Sequence, residues 1–139
     1  MQHVVWSILL IVVFSHSSKA QSINTLKWKN RIIILMDSKG NHGIRKEQLR
    51  KFNDLGEEIR ERDLILLCYD GKSLLDQNLK PTSFILTDNI DEDFQGVLLI
   101  GKDGGIKLKK SFLVNPKTIF ETIDRMPMRK AEMRNSGNK

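Results

Sequence analysis

Cysteine is almost absent from this 139-residue sequence, which contains only Cys68. A single thiol cannot form an intramolecular disulfide, and it cannot supply the paired cysteines of a dithiol redox motif. Cys68 lies in a continuous apolar run between Asp63 and Asp70, which is typical of a buried central strand. We therefore interpret it as a small core hydrophobe, because a reactive thiol needs an electropositive and partly open setting.

Histidine and aromatic residues are also scarce. His42 is the only histidine after residue 20, and Phe, Tyr and Trp together make up 6% of the chain. One His and one Cys are too few for a zinc site, and the low aromatic content does not favour stacking on single-stranded nucleic acid. The sequence therefore predicts no metal, no cofactor and no nucleic-acid partner.

The apolar run Val4–Phe14 is too short to span a membrane but has the length of the apolar region of a signal peptide. Ser18 and Ala20 supply the small residues expected before a cleavage site ahead of Gln21. This predicts a signal peptide over residues 1–20 and an exported protein, periplasmic or extracellular, with no transmembrane segment after cleavage. A retained anchor is the alternative, because the first three residues carry no Lys or Arg.

Residues 21–134 are predicted to form one α/β domain, followed by a polar, disordered tail at 135–139. Apolar runs predict strands at 31–36, 64–69, 96–101 and 106–110, and a short strand at 84–87. Apolar residues at three- and four-residue steps predict helices at 44–60 and 116–125, with a last turn or two at 128–134. The order βαβ, an irregular insert and ββα predicts a thioredoxin-like sandwich.

Four local features of the second half are also predicted. Asp103 and Gly104 provide the positive-φ residues of a tight hairpin. Ile106 and Leu108 alternate with lysines, so both should face the core. Asn115 caps the following helix and Pro116 begins it. Pro127 ends that helix, with Met126 and Met128 packed beneath the sheet edge.

The polar loop Asp37–Gly43 joins the first strand to the first helix, where an α/β fold can place a ligand. Asp37, Ser38 and His42 are therefore candidate ligand-binding residues. A role for His42 in proton transfer needs a partner, for which Asp37 is the near candidate. An ordinary solvated loop is the alternative.

The C-terminal part of the chain is strongly basic, with nine Lys and Arg against three acids from Lys107 onward. We predict a basic face that binds an anionic glycan, a lipid headgroup or an acidic protein. The candidate residues are Lys107, Lys109, Lys110, Arg125, Arg129 and Lys130. A solvated surface without a partner is the alternative.

Other charged segments fit structural explanations. Asp70–Ser73 lacks the first glycine of a phosphate loop and is interpreted as a turn. The acidic stretch 88–93 lacks the ligand spacing and glycine of an EF-hand. Arg31, Arg62 and Asp63 stand at the entrances of apolar strands, and we interpret them as charges that bracket the strands and pair. A functional site is the alternative.

Four segments give the chain a family resemblance: Trp28–Arg31, Glu61–Asp63, Gly101–Lys107 and Ile123–Met133. They resemble a domain of unknown function that has been called P-DUDES and is considered peroxiredoxin-like. Such domains occur alone in small bacterial exported proteins, at the end of vertebrate sushi-repeat-containing secreted proteins, and in equarin-like matrix proteins. The resemblance spans nearly all of residues 22–134.

The resemblance implies a thioredoxin-like fold and an extracytoplasmic location, but no chemistry. Peroxiredoxins place a nucleophilic Cys just after the first strand, and residues 36–45 contain none. We therefore expect a non-catalytic binding or structural module with a basic C-terminal face. The alternative is an enzyme of unassigned chemistry, or a weak redox protein that uses Cys68.

Overall fold

The structure is a computed structural model that describes residues 19–137. The signal peptide predicted at 1–20 lies outside the described residues apart from Lys19 and Ala20, and so do residues 138–139 of the predicted tail. The chain from Gln21 onward forms a mixed α/β structure with a five-stranded sheet and four α-helices among the described residues.

The main sheet has the strand order β4-β3-β2-β6-β7. A separate two-stranded pair joins β1 to β5 in parallel. The strands are β1 (Gln21–Ser22), β2 (Arg31–Asp37), β3 (Leu64–Tyr69), β4 (Leu74–Leu75), β5 (Phe84–Ile85), β6 (Gln95–Ile100) and β7 (Ile106–Lys110). The four longer strands confirm the predicted ones, whereas β5 is only two residues long.

The central strands β2 and β3 run parallel, with Ile34 opposite Leu67. They are apolar on both faces because both faces of the sheet are covered. Strand β6 lies antiparallel to β2, and β7 lies antiparallel to β6 and forms one edge of the sheet. This is the βαβ and ββα arrangement that the hydrophobic pattern predicts.

The prediction of a single helix at 44–60 is wrong, because two shorter helices occupy this region. The four helices are α1 (His42–Arg50), α2 (Gly56–Glu61), α3 (Pro116–Asp124) and α4 (Pro127–Ser136). Asn53 and Asp54 favour turns and Gly56 weakens a helix, so the chain turns after Arg50. The turn buries Phe52 and separates α1 from α2.

Two apolar clusters lie on opposite faces of the sheet. On one face, α1, α2 and α3 pack their side chains against alternate strand residues such as Ile33, Leu35 and Leu99. On the other face, Ile32, Ile34 and Leu98 are covered by residues 23–26 and by the insert at 84–94. The insert therefore acts as a lining for the sheet face that no helix among α1–α3 covers.

The hairpin between β6 and β7 differs from the prediction. Its connection is five residues long, and of Asp103 and Gly104 only the glycine has a positive φ. A register shift after Leu99 places Leu108 opposite Leu99 but Ile106 opposite Ile100, leaving Lys107 without a partner. Residues opposite each other share a face, so Ile106 and Leu108 lie on opposite faces, and Ile106 is 41% exposed.

The C-terminal helices are defined by their caps. The Asn115 side chain accepts a hydrogen bond from the Lys117 amide at 3.0 Å, and Pro116 begins α3, as predicted. The helix ends before Pro127, which begins α4. Helix α4 extends through Ser136, two residues into the segment predicted to be disordered.

The two methionines that flank Pro127 differ in burial. Met126 is partly buried and contacts the core, as predicted. Met128 is 39% exposed, so its prediction as core filler is wrong. Met128 therefore contributes a surface thioether at the first turn of α4.

Gln48 on α1 anchors the loop that leads into α3. Its amide donates to the Val114 carbonyl at 2.8 Å and accepts from the Val114 amide at 2.7 Å. Both side chains are buried. This pair of bonds satisfies the backbone groups of a loop residue inside the core.

We predict that Gln48→Met destabilises the fold, because it leaves two buried backbone groups without partners at about 1–3 kcal/mol each. Urea unfolding followed by circular dichroism measures the loss. The exposed residue Gln77 gives the control variant Gln77→Met, which should unfold like the wild type. Equal stability of the two variants would mean that water reaches Val114.

Candidate functional site

The loop predicted to bind a ligand follows β2 at the carboxyl end of the central strand. Asp37 ends β2 and is fully buried. Its Oδ1 accepts a 2.7 Å hydrogen bond from the Asn41 amide, which closes the loop. Because β2 and β3 are parallel and end side by side, this loop lies where open α/β sheets place ligands.

Arg45 on α1 reaches back over this loop and pairs with Asp37. Its Nη1 lies 3.4 Å from Asp37 Oδ2, and its Nη2 lies 2.9 Å from Nδ1 of His42. A guanidinium only donates hydrogen bonds, so Nδ1 accepts and the proton of a neutral His42 lies on Nε2. His42 Nδ1 is 3.9 Å from Asp37 Oδ2, so Arg45, not His42, is the nearer partner of Asp37.

Arg45 is a site residue that sequence reasoning missed. It is only 5% exposed, yet nothing in its spacing distinguishes it from the solvated charges of α1. Within the part of the chain that the structure describes, Arg45 Nε and Nη1 and Asp37 Oδ2 are buried without a hydrogen-bond partner. The loop therefore contains a buried, mutually neutralised acid–base pair at the position where a ligand was predicted.

Ser38 is held by its neighbours. Its hydroxyl accepts a 2.7 Å hydrogen bond from the Gln95 amide. Gly71 packs against the Ser38 backbone so closely that a Cβ at Gly71 would lie 2.9 Å from the Ser38 carbonyl oxygen. The structure thus brings Asp37, Ser38 and His42 together, with Asp37 and Ser38 tied into the scaffold and His42 exposed.

The Cys68 thiol lies in the core beneath this loop. It is fully buried in the helix-covered cluster. Burial raises its pKa to about 12, against the opposing influence of the Arg45 charge. The thiol is therefore protonated at neutral pH, in the setting expected of an inert core cysteine.

A second concentration of charge lies at the opposite end of β2 and β3. Arg31 begins β2 and is 1% exposed. Its guanidinium makes two bonds to the Glu132 carboxylate, at 3.1 and 3.2 Å. Lys102 in the hairpin bonds the same carboxylate and Asp63, each at 2.7 Å.

The adjoining half of this cluster is organised by two further arginines. Arg62 binds Asp124 through two bonds, at 2.7 and 3.0 Å, and lies over the Phe120 ring. Arg129 bonds Glu61 at 2.7 Å and Asp124 at 3.3 Å. We call these eight residues the charged network: Arg31, Arg62, Lys102, Arg129, Glu61, Asp63, Asp124 and Glu132.

The charged network confirms the predicted pairing of charges at the strand entrances and extends it. All four segments that carry the family resemblance contribute to it, through Arg31, Arg62, Lys102 and Glu132 among others. Its four cations and four acids balance, and the Arg31 side chain is almost wholly buried. The network therefore joins α4 to the end of the sheet and is not an open binding site.

The six cations predicted to form a basic face do not all lie together. Arg129 is buried in the charged network. Lys109 is opposite Leu98, on the face covered by the insert, where it stacks on Phe94 and lies 3.5 Å from Asp91. The other four are exposed and lie on the side of the sheet that carries α3 and α4: Lys107, Lys110, Arg125 and Lys130.

Other kinds of site find no support within residues 19–137. No group of three His, Cys, Asp or Glu residues there is arranged to hold a metal ion. None of the helices there has the length and apolar character to cross a membrane. Asp70 bonds the Lys72 and Ser73 amides through Oδ1, which makes the segment 70–73 a turn.

Comparison with known proteins assigns the chain to a family. Residues 22–132 match the family described as Domain of unknown function (DUF4174), and because this match covers most of the chain, the protein belongs to that family. No curated protein and no solved structure gives a significant match. The matched range includes every residue of the charged network.

We predict that Cys68 does not react with a thiol reagent in the native protein. Its sulfur is buried and the raised pKa keeps the thiolate scarce at neutral pH. Titration with Ellman's reagent should detect one thiol per chain in denaturant and almost none without it. Rapid stoichiometric labelling of the folded protein would contradict this expectation and favour a redox function.

We predict that Glu132→Gln destabilises the protein by about 3–5 kcal/mol, because it leaves the buried Arg31 charge without its carboxylate. Urea unfolding at neutral pH measures the loss. The control is Glu47→Gln, since Glu47 is exposed and makes no ion pair in the described part of the chain. Similar stability of the two variants would show that the network contributes little.

The same carboxylate predicts a dependence of stability on pH. Burial opposes ionisation of Glu132, but hydrogen bonds from Arg31 and Lys102 outweigh it, so its pKa lies below the ordinary 4.5. The stabilisation is complete above that ordinary value and is lost as the pH falls through the lower, folded-state pKa. The wild type should therefore lose stability in this acidic range more steeply than Glu132→Gln.

Proposed function

We propose that this protein is an exported, non-enzymatic binding module of thioredoxin-like fold. In this proposal it binds an anionic partner on the side of the sheet that carries α3 and α4. The observation that carries the proposal is the placement of Lys107, Lys110, Arg125 and Lys130 on that side.

The thioredoxin-like assignment is supported by strand order. A parallel pair joined through helices, followed by two antiparallel strands and a helix on the same face, gives the order β3-β2-β6-β7. Export is supported by the predicted signal peptide at 1–20. A non-enzymatic function is supported by the Asp37–Arg45 pair, which occupies the loop at the strand ends, and by the burial of Cys68.

The four exposed cations are available to an external anion. Within residues 19–137, Lys110 and Lys130 make no ion pair. Lys107 pairs with Asp103, and Arg125 lies 3.9 Å from Glu121. In both pairs the acid and the base are each at least one-third exposed. Exposed pairs of this kind contribute only about 0–1 kcal/mol, so an anionic partner can replace them.

The charges on the two faces of β7 give a direct comparison. Lys110 lies on the α3 side because it is opposite Val97 of the helix-covered cluster, whereas Lys109 faces the insert. Lys27 lies near the same insert-covered face, beside Ile23 and Ile90. Two double charge reversals can therefore change the net charge equally on different sides of the sheet.

We predict that the protein is retained on immobilised dextran sulfate and eluted by salt, as expected for exposed charges. The variant Lys107→Glu with Lys110→Glu should elute at much lower salt than the wild type. The control variant, Lys27→Glu with Lys109→Glu, has the same net charge as this first variant. It should elute at a salt concentration between those of the first variant and the wild type. Equal shifts in both variants would mean that net charge alone causes retention, and unretained wild type would contradict the proposal.

A further inference from the structure

A groove of about 450 Å³ opens on the side of the sheet that carries the four exposed cations. We call it the methionine groove. It lies between the hairpin and the junction of α3 with α4, and its lining residues are Arg31, Gly101, Lys102, Asp103, Lys107, Met126, Pro127 and Met128. Its walls therefore come from three of the segments that carry the family resemblance.

The apolar wall of the groove exposes side-chain surface that does not pack in the core. Met126 fixes one end by contacting the core. Pro127 is exposed, and Met128 is 39% exposed, although both lie in an ordered helix. Unbranched thioethers adapt to different apolar shapes and are favoured at protein-binding surfaces.

Exposed cations border the groove. Lys107 lines it and is 35% exposed, and the exposed Arg125 and Lys130 flank the segment 126–128 along the chain. Lys102 and the buried guanidinium of Arg31 also line the groove, but Asp63 and Glu132 of the charged network balance their charges. Arg31 Nε is buried and has no hydrogen-bond partner among the described residues, although both terminal nitrogens bind Glu132. Asp103 is the only acid in the lining, and it already pairs with Lys107.

We infer that the methionine groove binds an acidic segment of another protein through an apolar side chain flanked by carboxylates. This inference rests on the proposed function and selects a protein from the anionic partners considered. An apolar centre with a polar rim is the usual composition of a protein interface. A sulfated glycan would use the cations but would leave the apolar wall unfilled.

The test uses two labelled peptides and fluorescence anisotropy. One short peptide carries a central Leu flanked by Glu residues, and the second carries Ser in place of Leu. The Leu peptide should bind the wild type about ten-fold more tightly, a difference of about 1.4 kcal/mol. The variant Met128→Ser should remove this preference, because Met128 supplies exposed apolar surface in the groove.

A matched control separates the groove from general changes in α4. Met133 is on the same helix and is 38% exposed, but it does not line the groove. Met133→Ser should therefore keep the preference for the Leu peptide. Both methionines are substantially exposed, so both variants should unfold in urea close to the wild type.

The outcomes distinguish this inference from the proposed function. Equal binding of the two peptides, with retention on dextran sulfate intact, would overturn the protein partner and leave the anion-binding function standing. Binding to vesicles of anionic lipid that depends on Met128, without a preference for the Leu peptide, would overturn it in favour of a membrane surface. If the wild type neither is retained on dextran sulfate nor binds either peptide, both the inference and the proposed function are overturned.

Discussion

The buried charge of Arg31 is the constraint on which the arrangement of the chain depends. A guanidinium removed from water at the start of the central strand costs several kcal/mol unless an anion meets it. The anion is Glu132, 101 residues further along the chain, so α4 must cross the end of the sheet. Lys102 binds the same carboxylate and also Asp63. The Lys102 ammonium therefore holds the hairpin to both α4 and the entrance to β3.

Local sequence signals predicted most of the sheet and α3. The apolar runs of β2 and β3 are long enough to define buried parallel strands, and Asn115 followed by Pro116 defines the start of α3 through its own backbone geometry. The periodicity of residues 44–60 predicted one helix, because Phe52 and Leu55 keep helical spacing across a turn. Periodicity shows which residues are buried, and it does not show that a turn interrupts the helix between them.

Features that depend on distant partners could not be predicted from spacing. The loop after β2 was identified by topology, but the pairing of Asp37 with Arg45 depends on how α1 sits over the sheet. The exposure of Ile106 depends on the register shift opposite Ile100, and one extra residue moves every later side chain to the other face. The position of Arg129 inside the charged network likewise required the path of α4.

The edges of the sheet have a consequence for solubility. At one edge, β4 is two residues long and meets Pro81, which has no backbone donor. At the other, β7 is the open edge strand and carries three lysines, of which Lys109 and Lys110 lie on opposite faces. Like charges oppose the pairing of two such strands. We expect a polymer that neutralises these lysines while gathering several copies to remove that repulsion and to favour aggregation through the open edge.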